Sequence, residues 1–183
     1  MIMIRKLKLE ELNRIDVATF KKSSKIPVKI ILENIRSHHN VGSFFRTADA
    51  FRIDEIILTG FTPAPPHREI NKTALGSTDS VKWRYVKALS DILSEFKPSD
   101  VIIGIEQTNK SISLGDVDID QKKTYWLIFG NEVEGLSEVS LHHCHQFIEI
   151  PQFGTKHSLN VSVCGGIVMW EFFKFFSNKI NLS

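Results

Sequence analysis

Ser158-Leu159-Asn160-Val161-Ser162-Val163 follows Ile150-Pro151-Gln152-Phe153-Gly154 near the carboxyl end, where a predicted strand gives way to a predicted helix. Two earlier segments lie at the same kind of strand-to-helix change. They are Asn40-Val41-Gly42-Ser43-Phe44-Phe45-Arg46-Thr47-Ala48 and Phe129-Gly130-Asn131-Glu132-Val133-Glu134-Gly135-Leu136-Ser137. Because ligands of open α/β sheets bind beyond the carboxyl ends of the strands, we expect the three segments to meet in one cleft.

Apolar runs typical of strands alternate with helical spacing along most of the chain. The opening strand is predicted at 28–32, the next helix at 40–51 and the second strand at 55–58. Further strands are predicted at 81–86, 101–105, 125–129 and 147–150, and further helices at 89–96, from 137 and at about 159–176. This alternation predicts an α/β fold with a mainly parallel sheet that carries helices on both faces.

The length and composition indicate one domain in a reducing compartment. A chain of 183 residues can bury its own core, and Cys144 and Cys164 are too few for a disulfide scaffold. No secretory leader opens the sequence, so we expect a cytoplasmic protein. The longest apolar run, 161–170, is shorter than the roughly 20 residues of a membrane helix, so we expect no membrane span.

The net charge of +2 hides a basic amino-terminal end. Residues 1–29 carry eight lysines and arginines against three acidic residues. This end is either an arm that contacts nucleic-acid phosphates or an amphipathic helix whose Leu12, Ile15 and Phe20 pack on the body, and the two roles are compatible. We therefore expect a basic extension at 1–27 and one domain at 28–183.

The last predicted helix is apolar almost all round. Leu159, Val163, Ile167 and Trp170 share one side, and other large apolar residues cover the remaining faces. Such a helix needs burial on more than one face. Packing in the core of one chain explains this pattern, and so does close packing against a second copy of the chain.

The usual nucleotide-binding motifs are missing from the sequence. Neither Gly-x-Gly-x-x-Gly nor Gly-x-x-x-x-Gly-Lys-Ser/Thr occurs. Instead the three segments resemble the motifs of the SpoU (TrmH-type) family of RNA ribose methyltransferases in the SPOUT superfamily, and the resemblance covers about residues 28–176. It implies S-adenosyl-L-methionine as cofactor, tRNA or rRNA as partner, a carboxyl-terminal deep trefoil knot that binds the cofactor, and a homodimer that completes the active site. General topology rules alone predict an unknotted sheet.

The resemblance also assigns catalytic roles. Arg46 matches an arginine used in activating the ribose 2′-hydroxyl, and because guanidinium is a very weak base we expect it to bind an RNA phosphate and orient the hydroxyl. Asn40 matches a residue that helps order this arginine, although an asparagine there also suits a helix N-cap. Glu132 is expected to pair with Arg46 or to accept a ribose hydrogen bond. Ser158 and Asn160 supply polar groups near the cofactor and the ribose, or cap the last helix.

The cofactor site is expected to use residues that follow strands. Three positions resemble residues that line the cofactor: Gly130, Ile150 and Leu159. A glycine at a strand end admits unusual dihedrals and lets the backbone approach a ligand. Gly60 and the run Leu75-Gly76-Ser77 are weaker candidates, for which formation of a turn is the alternative.

Two further functions compete with this one, and no metal is expected. The chain could be an RNA-binding or ribosome-assembly module that keeps the fold without the chemistry, or an α/β enzyme with a nicotinamide cofactor, which the missing glycine loop disfavours. The run His142-His143-Cys144-His145 lacks zinc-site spacing. Methyl transfer from a sulfonium is an in-line displacement with a neutral leaving group, so positioning carries much of the catalysis.

Overall fold

The computed structural model describes residues 4–177, which contain a seven-stranded sheet. The strands are β1 Ile26–Glu33, β2 Ile53–Thr59, β3 Trp83–Val86, β4 Val101–Ile105, β5 Ile112–Ser113, β6 Tyr125–Phe129 and β7 Gln146–Glu149. Their order is β3-β2-β1-β6-β4-β7-β5, and the strands pair in parallel throughout. The predicted parallel α/β sheet is confirmed.

Six α-helices connect or cover the strands within the described residues. They are α1 Val17–Lys22, α2 His38–Ala50, α3 Arg68–Ala74, α4 Ser77–Ser80, α5 Glu138–His143 and α6 Val161–Phe176. The segment predicted as a helix at 89–96 is a 3-10 helix, Leu89–Glu95, and the strand predicted at 81–86 begins at Trp83. The two-residue β5 was not predicted, because two residues are too short to show an alternating pattern.

Both faces of the sheet are buried, which explains the continuous apolar strands. Ile30 and Leu32 of β1 point into a core shared with α2 and α6, whereas Ile31 points into a core on the opposite face. The second face is covered by the 3-10 helix Leu89–Glu95 and by α5. Strands covered on both faces need apolar residues at consecutive positions, as in other parallel sheets.

Helix α6 packs against its own chain and still leaves an apolar side exposed. A Cβ on Gly165 would overlap the Phe44 ring of α2, so this glycine allows the two helices to approach closely. Val163 remains 53% exposed and Trp170 48% exposed on another side of α6. A Cβ built on Gly166 has no atom within 4 Å. Core packing within one chain therefore accounts for only part of the apolar surface of this helix.

The amino-terminal end packs less than the amphipathic-helix interpretation predicts. Phe20 of α1 is buried, but Leu12 and Ile15 are 38% and 40% exposed. The first strand begins at Ile26, which lies inside the segment assigned to the extension.

Within residues 4–177, no helix has the length and apolar character needed to span a membrane. The division into extension and domain, the knot and the homodimer stay predictions.

Candidate active site

A cleft of about 450 Å³ lies at the carboxyl ends of β4, β6 and β7, beside the start of α6. It brings together residues of the second and third sequence segments. Its lining includes Gly130, Glu132, Ile150, Ser158, Leu159 and Asn160, together with Ile105, Glu106, Gln107, Asn131, Ile148 and Cys164. Six of the residues proposed from the sequence therefore share one cleft.

The first segment joins the cleft through a chain of side-chain hydrogen bonds. Asn160 donates its Nδ2 hydrogen to Oδ1 of Asn40 at 3.1 Å, and Asn40 donates from Nδ2 to Oε1 of Glu132 at 3.0 Å. The three residues come from three different segments. Asn40 is only 8% exposed, so these hydrogen bonds satisfy a buried amide. The bonds fix α2, the loop after β6 and the start of α6 relative to one another.

Glu132 holds the amino-terminal end of α2. Its carboxylate accepts hydrogen bonds from the backbone N–H groups of Arg36 at 2.9 Å and Ser37 at 3.2 Å, in addition to the bond from Asn40. Glu132 is exposed as a residue, but the partial burial of its carboxylate would alone raise its pKa; these hydrogen bonds outweigh that effect and lower the pKa. The carboxylate accepts from these three donors and does not pair with Arg46. The alternative, a hydrogen bond to the target ribose, stays a prediction.

The helix caps differ in part from the expectation. Ser37, not Asn40, is the N-cap of α2, and its hydroxyl accepts from the N–H of Asn40. Asn160 does cap α6, because its Oδ1 accepts from the N–H groups of Ser162 and Val163. One side chain thus caps a helix and holds Asn40, so the two roles of Asn160 coexist.

Gly130 is required by the fold of its own loop. A Cβ at this position would overlap the carbonyl group of Gly135. Gly135 and Asn131 pair through two backbone hydrogen bonds of 2.9 Å, and the Asn131 side chain accepts from the N–H groups of Val133 and Glu134. Gly130 does not have a positive φ, so close backbone packing, and not an unusual dihedral, explains the glycine.

Glu106 and Gln107 line the cleft but were missed in the sequence. Glu106 follows β4, and its carboxylate accepts from the N–H groups of Leu136 and Gln107, each at 3.0 Å. Gln107 donates from Nε2 to the carbonyl of His157 at 2.9 Å. These bonds connect the end of β4 to the loop after β6 and to the segment before α6, which form the other sides of the cleft. The only sequence signal was a polar pair directly after a buried strand.

Gly60, Leu75 and Gly76 are not among the residues that line the cleft. Gly60 follows β2 with a φ of 63°, and its carbonyl accepts from the Tyr85 hydroxyl at 2.7 Å. Leu75 ends α3 in the left-handed conformation, and Gly76 has a φ of 87° at the start of α4. The alternative role in turns fits all three, because positive φ values are what such turns demand.

Arg46 lies on a different side of α2 from Asn40. It is the ninth residue of the helix, in the third turn, and it points about 120° around the axis from Asn40. Phe44 and Ala48 of the same helix are buried. The Arg46 side chain is exposed and makes no hydrogen bond or ion pair with other residues in the range 4–177. Its guanidinium is available to an external partner.

The histidine-rich end of α5 forms ordinary structural contacts. His145 Nδ1 accepts from the backbone N–H of Ile102, and His143 Nδ1 lies 2.8 Å from the carbonyl of Val139. In the part of the chain that the structure describes, no group of three or more histidine, cysteine, aspartate or glutamate side chains is arranged to hold a metal ion.

Comparison with known proteins places these features in one family. The sequence-family model of the SpoU rRNA Methylase family matches residues 27–170 of this chain. The protein RlmB of Neisseria meningitidis serogroup B, a 23S rRNA (guanosine-2′-O-)-methyltransferase, is 32% identical over 149 residues, which cover 81% of this chain and 58% of the relative. A putative TrmH family tRNA/rRNA methyltransferase of Staphylococcus epidermidis is 29% identical over 154 residues, covering 84% of this chain and 61% of the relative. The chain thus spans about three fifths of the length of these relatives.

Solved structures show the same fold. The A. aeolicus TrmH/SpoU tRNA modifying enzyme superimposes with a TM-score of 0.77 at 24% identity, covering 89% of this chain and 83% of that structure. An AdoMet-bound rRNA methyltransferase from Sinorhizobium meliloti gives a TM-score of 0.76 at 24% identity, with 85% and 58% covered.

Proposed function

Because the chain belongs to the SpoU rRNA Methylase family, we propose that it is an S-adenosylmethionine-dependent methyltransferase that modifies a ribose 2′-hydroxyl of tRNA or rRNA. One observation carries this proposal. The hydrogen-bonded chain from Asn160 through Asn40 to Glu132 joins the three sequence segments at a ligand-sized cleft. The fold alone would not support it, because one fold hosts many functions.

The cleft suits S-adenosylmethionine in size and in chemistry. Its volume of about 450 Å³ is typical of small-molecule sites. Ile150 and Leu159 offer apolar contact for the adenine, the loop at Gly130 offers backbone polar groups for the ribose, and Ser158 offers a hydroxyl for the methionine part. When bound, the cofactor would supply an electrophilic methyl group on a sulfonium. The protein residues then need only to bind and orient the two reactants.

Arg46 is proposed as the residue that binds the RNA phosphate and orients the target hydroxyl. Its exposed guanidinium has no partner within residues 4–177, and arginine binds phosphate through several donors in a fixed plane. Glu132 is proposed as a positioning residue, because its carboxylate is held by α2 and does not reach the arginine. The phosphate-binding role that the sequence predicted for Arg46 is therefore kept in the proposal. The role of Glu132 changes from a partner of Arg46 to a residue that positions α2.

We further propose a homodimer in which Arg46 acts at the cleft of the partner. Val163, Ile167 and Trp170 form an exposed apolar side of α6, and this helix packs on α2, which carries Arg46 on its own exposed side. A second copy that covered this surface would bury the apolar side chains. It would also bring Arg46 of one chain, which does not line the cleft of its own chain, towards the cleft of the other. The predicted knot and cytoplasmic location belong to the same proposal.

Methyl transfer to RNA is the direct test of the function. Labelled methyl from S-adenosylmethionine should enter unmodified tRNA or rRNA and appear in alkali-resistant dinucleotides, which form only when the 2′-hydroxyl is blocked. Arg46→Ala should abolish transfer, whereas Lys123→Ala, at an exposed site before β6, should not. Bound cofactor without label in any RNA would instead support an RNA-binding module without chemistry.

Mixing two inactive variants tests the shared site. Arg46→Ala leaves the cleft intact, and Asn160→Ala leaves Arg46 intact. If Arg46 acts in trans, a mixed dimer has one complete site, and random mixing should restore about a quarter of the wild-type activity. If Arg46 acts in its own chain, the mixture should stay inactive.

A further inference from the structure

Aromatic rings lie at the start of α2 and in the loop after β2, at the same edge of the sheet as the cleft. The ring of His38, the first residue of α2, is half-exposed and lies against the ring of His67, with centroids 3.9 Å apart and an interplanar angle of 33°. His67 is exposed, and Phe61 is 61% exposed. Flat, solvent-facing rings beside a polar site are the groups on which unpaired bases stack.

Hydrogen bonds fix the loops after β1 and β2 to each other and to the cleft. Asn34 Oδ1 accepts from the N–H of Phe61 at 3.3 Å, and Thr62 Oγ1 accepts from the N–H of Ile35 at 3.0 Å. Arg36, in the same loop after β1, donates its N–H to Glu132 at the cleft. The rings are therefore held on ordered loops at the same edge of the sheet as the candidate active site.

The charge around the rings is positive. Arg36 and Arg68 are exposed, and the Arg68 side chain is 94% exposed. Glu132, whose carboxylate accepts from the N–H of Arg36, lies at the border of this surface with the cleft. Within the surface lies Glu69, which contacts His39 at 2.6 Å and also lies within 4.0 Å of Arg68 and Lys72. Its negative charge is offset locally, so the surface attracts phosphate.

We infer that the surface formed by Arg36, His38, Phe61, His67 and Arg68 binds unpaired nucleotides that flank the target ribose. Bases stack on Phe61 and His67, and the two arginines bind the adjoining phosphates. An RNA duplex keeps its base faces stacked inside the helix and has none to offer these rings. The inference rests on the proposed function and deepens it, because it makes the substrate a loop or single-stranded segment of tRNA or rRNA.

Fluorescence anisotropy with matched RNA probes tests this surface. The probes are a labelled single strand of about 12 nucleotides, the same backbone with abasic sites, and the corresponding duplex. Phe61→Ala and His67→Ala should each weaken binding of the single strand by about 5- to 30-fold and leave the abasic probe unaffected. Phe61→Tyr, which keeps a ring, should bind as the wild type does.

Charge variants separate phosphate contacts from stacking. Arg68→Gln should lower the slope of log affinity against log salt by about 0.7, the value for one phosphate contact with a single strand. Lys123→Gln is the matched control, because Lys123 is exposed before β6 and therefore lies at the opposite edge of the sheet.

Equal binding of the base-bearing and abasic probes would overturn the inference, and so would tighter binding of the duplex or wild-type affinity of Phe61→Ala. Its failure can be told apart from failure of the proposed function. A wild-type protein that binds bases but transfers no methyl to any RNA would refute the enzyme and leave the surface. Full methyl transfer with unchanged RNA affinity in Phe61→Ala and His67→Ala would refute the surface and leave the enzyme.

Discussion

Replacing Asn40 by alanine should loosen the active site at its centre. The change removes the hydrogen bond to Glu132 at 3.0 Å and the bond from Asn160 at 3.1 Å. The remaining donors, the N–H groups of Arg36 and Ser37, still hold Glu132, and Asn160 still caps α6. The expected effect is therefore a partial loss of stability and not global unfolding.

The two lost hydrogen bonds set the magnitude. Glu132 is exposed, so we assign the bond to it the value of a neutral pair, and two bonds then contribute about 2 kcal/mol. Alanine is a better helix former than asparagine by about 0.6 kcal/mol, which offsets part of the loss. A net loss of about 1.5 kcal/mol should lower the Tm by about 3 to 6 °C in a chain of this length.

Thermal and urea unfolding of matched variants measure this loss. Asn71→Ala is the control, because Asn71 is an exposed residue of helix α3 and should show only the small helix-propensity gain. A double-mutant cycle of Asn40→Ala with Asn160→Ala should give a coupling energy of about 1 kcal/mol. If Asn40→Ala behaves like Asn71→Ala, or if the cycle shows no coupling, the hydrogen-bonded chain does not organise the site.

Three further perturbations test separate parts of the structure. Gly130→Ala forces a Cβ onto the carbonyl of Gly135 and should weaken cofactor binding at least about 10-fold in calorimetry; unchanged affinity would show that the loop adapts. Because the folded pKa of Glu132 lies below its ordinary value of 4.5, its stabilisation is complete above that pH and is lost as the pH falls through the folded pKa. The Tm difference between wild type and Glu132→Gln should therefore shrink on acidification, and a constant difference would contradict this. Partial burial raises the pKa of Cys144 to about 12 and of Cys164 to about 11, so both thiols should react at least about 100-fold more slowly with a disulfide reagent in the folded protein than in urea; equal rates would contradict these raised pKa values.

The sheet was predictable because both of its faces are buried. Residues such as Ile30 and Ile31 lie in cores on opposite faces, so the strands appear in the sequence as unbroken apolar runs between helical patterns. The helix at 89–96 has the apolar spacing of an α-helix, yet it forms a 3-10 helix that covers only one small core with Leu89 and Ile92. Spacing alone does not separate these two kinds of helix over so short a segment.

The membership of the cleft was predictable, but its internal bonds were not. Gly130, Ile150 and Leu159 meet because the carboxyl ends of parallel strands share one edge. Asn40 and Glu132 are 92 residues apart, and Asn40 and Asn160 are 120 residues apart. A contact over such a distance depends on the strand order, in which β6 lies between β1 and β4. The sequence therefore indicated the polar groups but not the hydrogen bonds that Glu132 accepts from Arg36, Ser37 and Asn40.

The two sides of the candidate site differ in how far they are ordered before a ligand binds. Asn40, Glu132 and Glu106 are held by hydrogen bonds within the chain, so the cofactor cleft should need little rearrangement. Arg46 and Arg68 are exposed, so binding of the proposed RNA substrate would order long side chains and draw on charge attraction. Since salt screens exposed charges much more than enclosed contacts, RNA affinity should fall steeply with ionic strength while cofactor affinity changes little. That contrast follows from the placement of the charges and holds whichever RNA is the substrate.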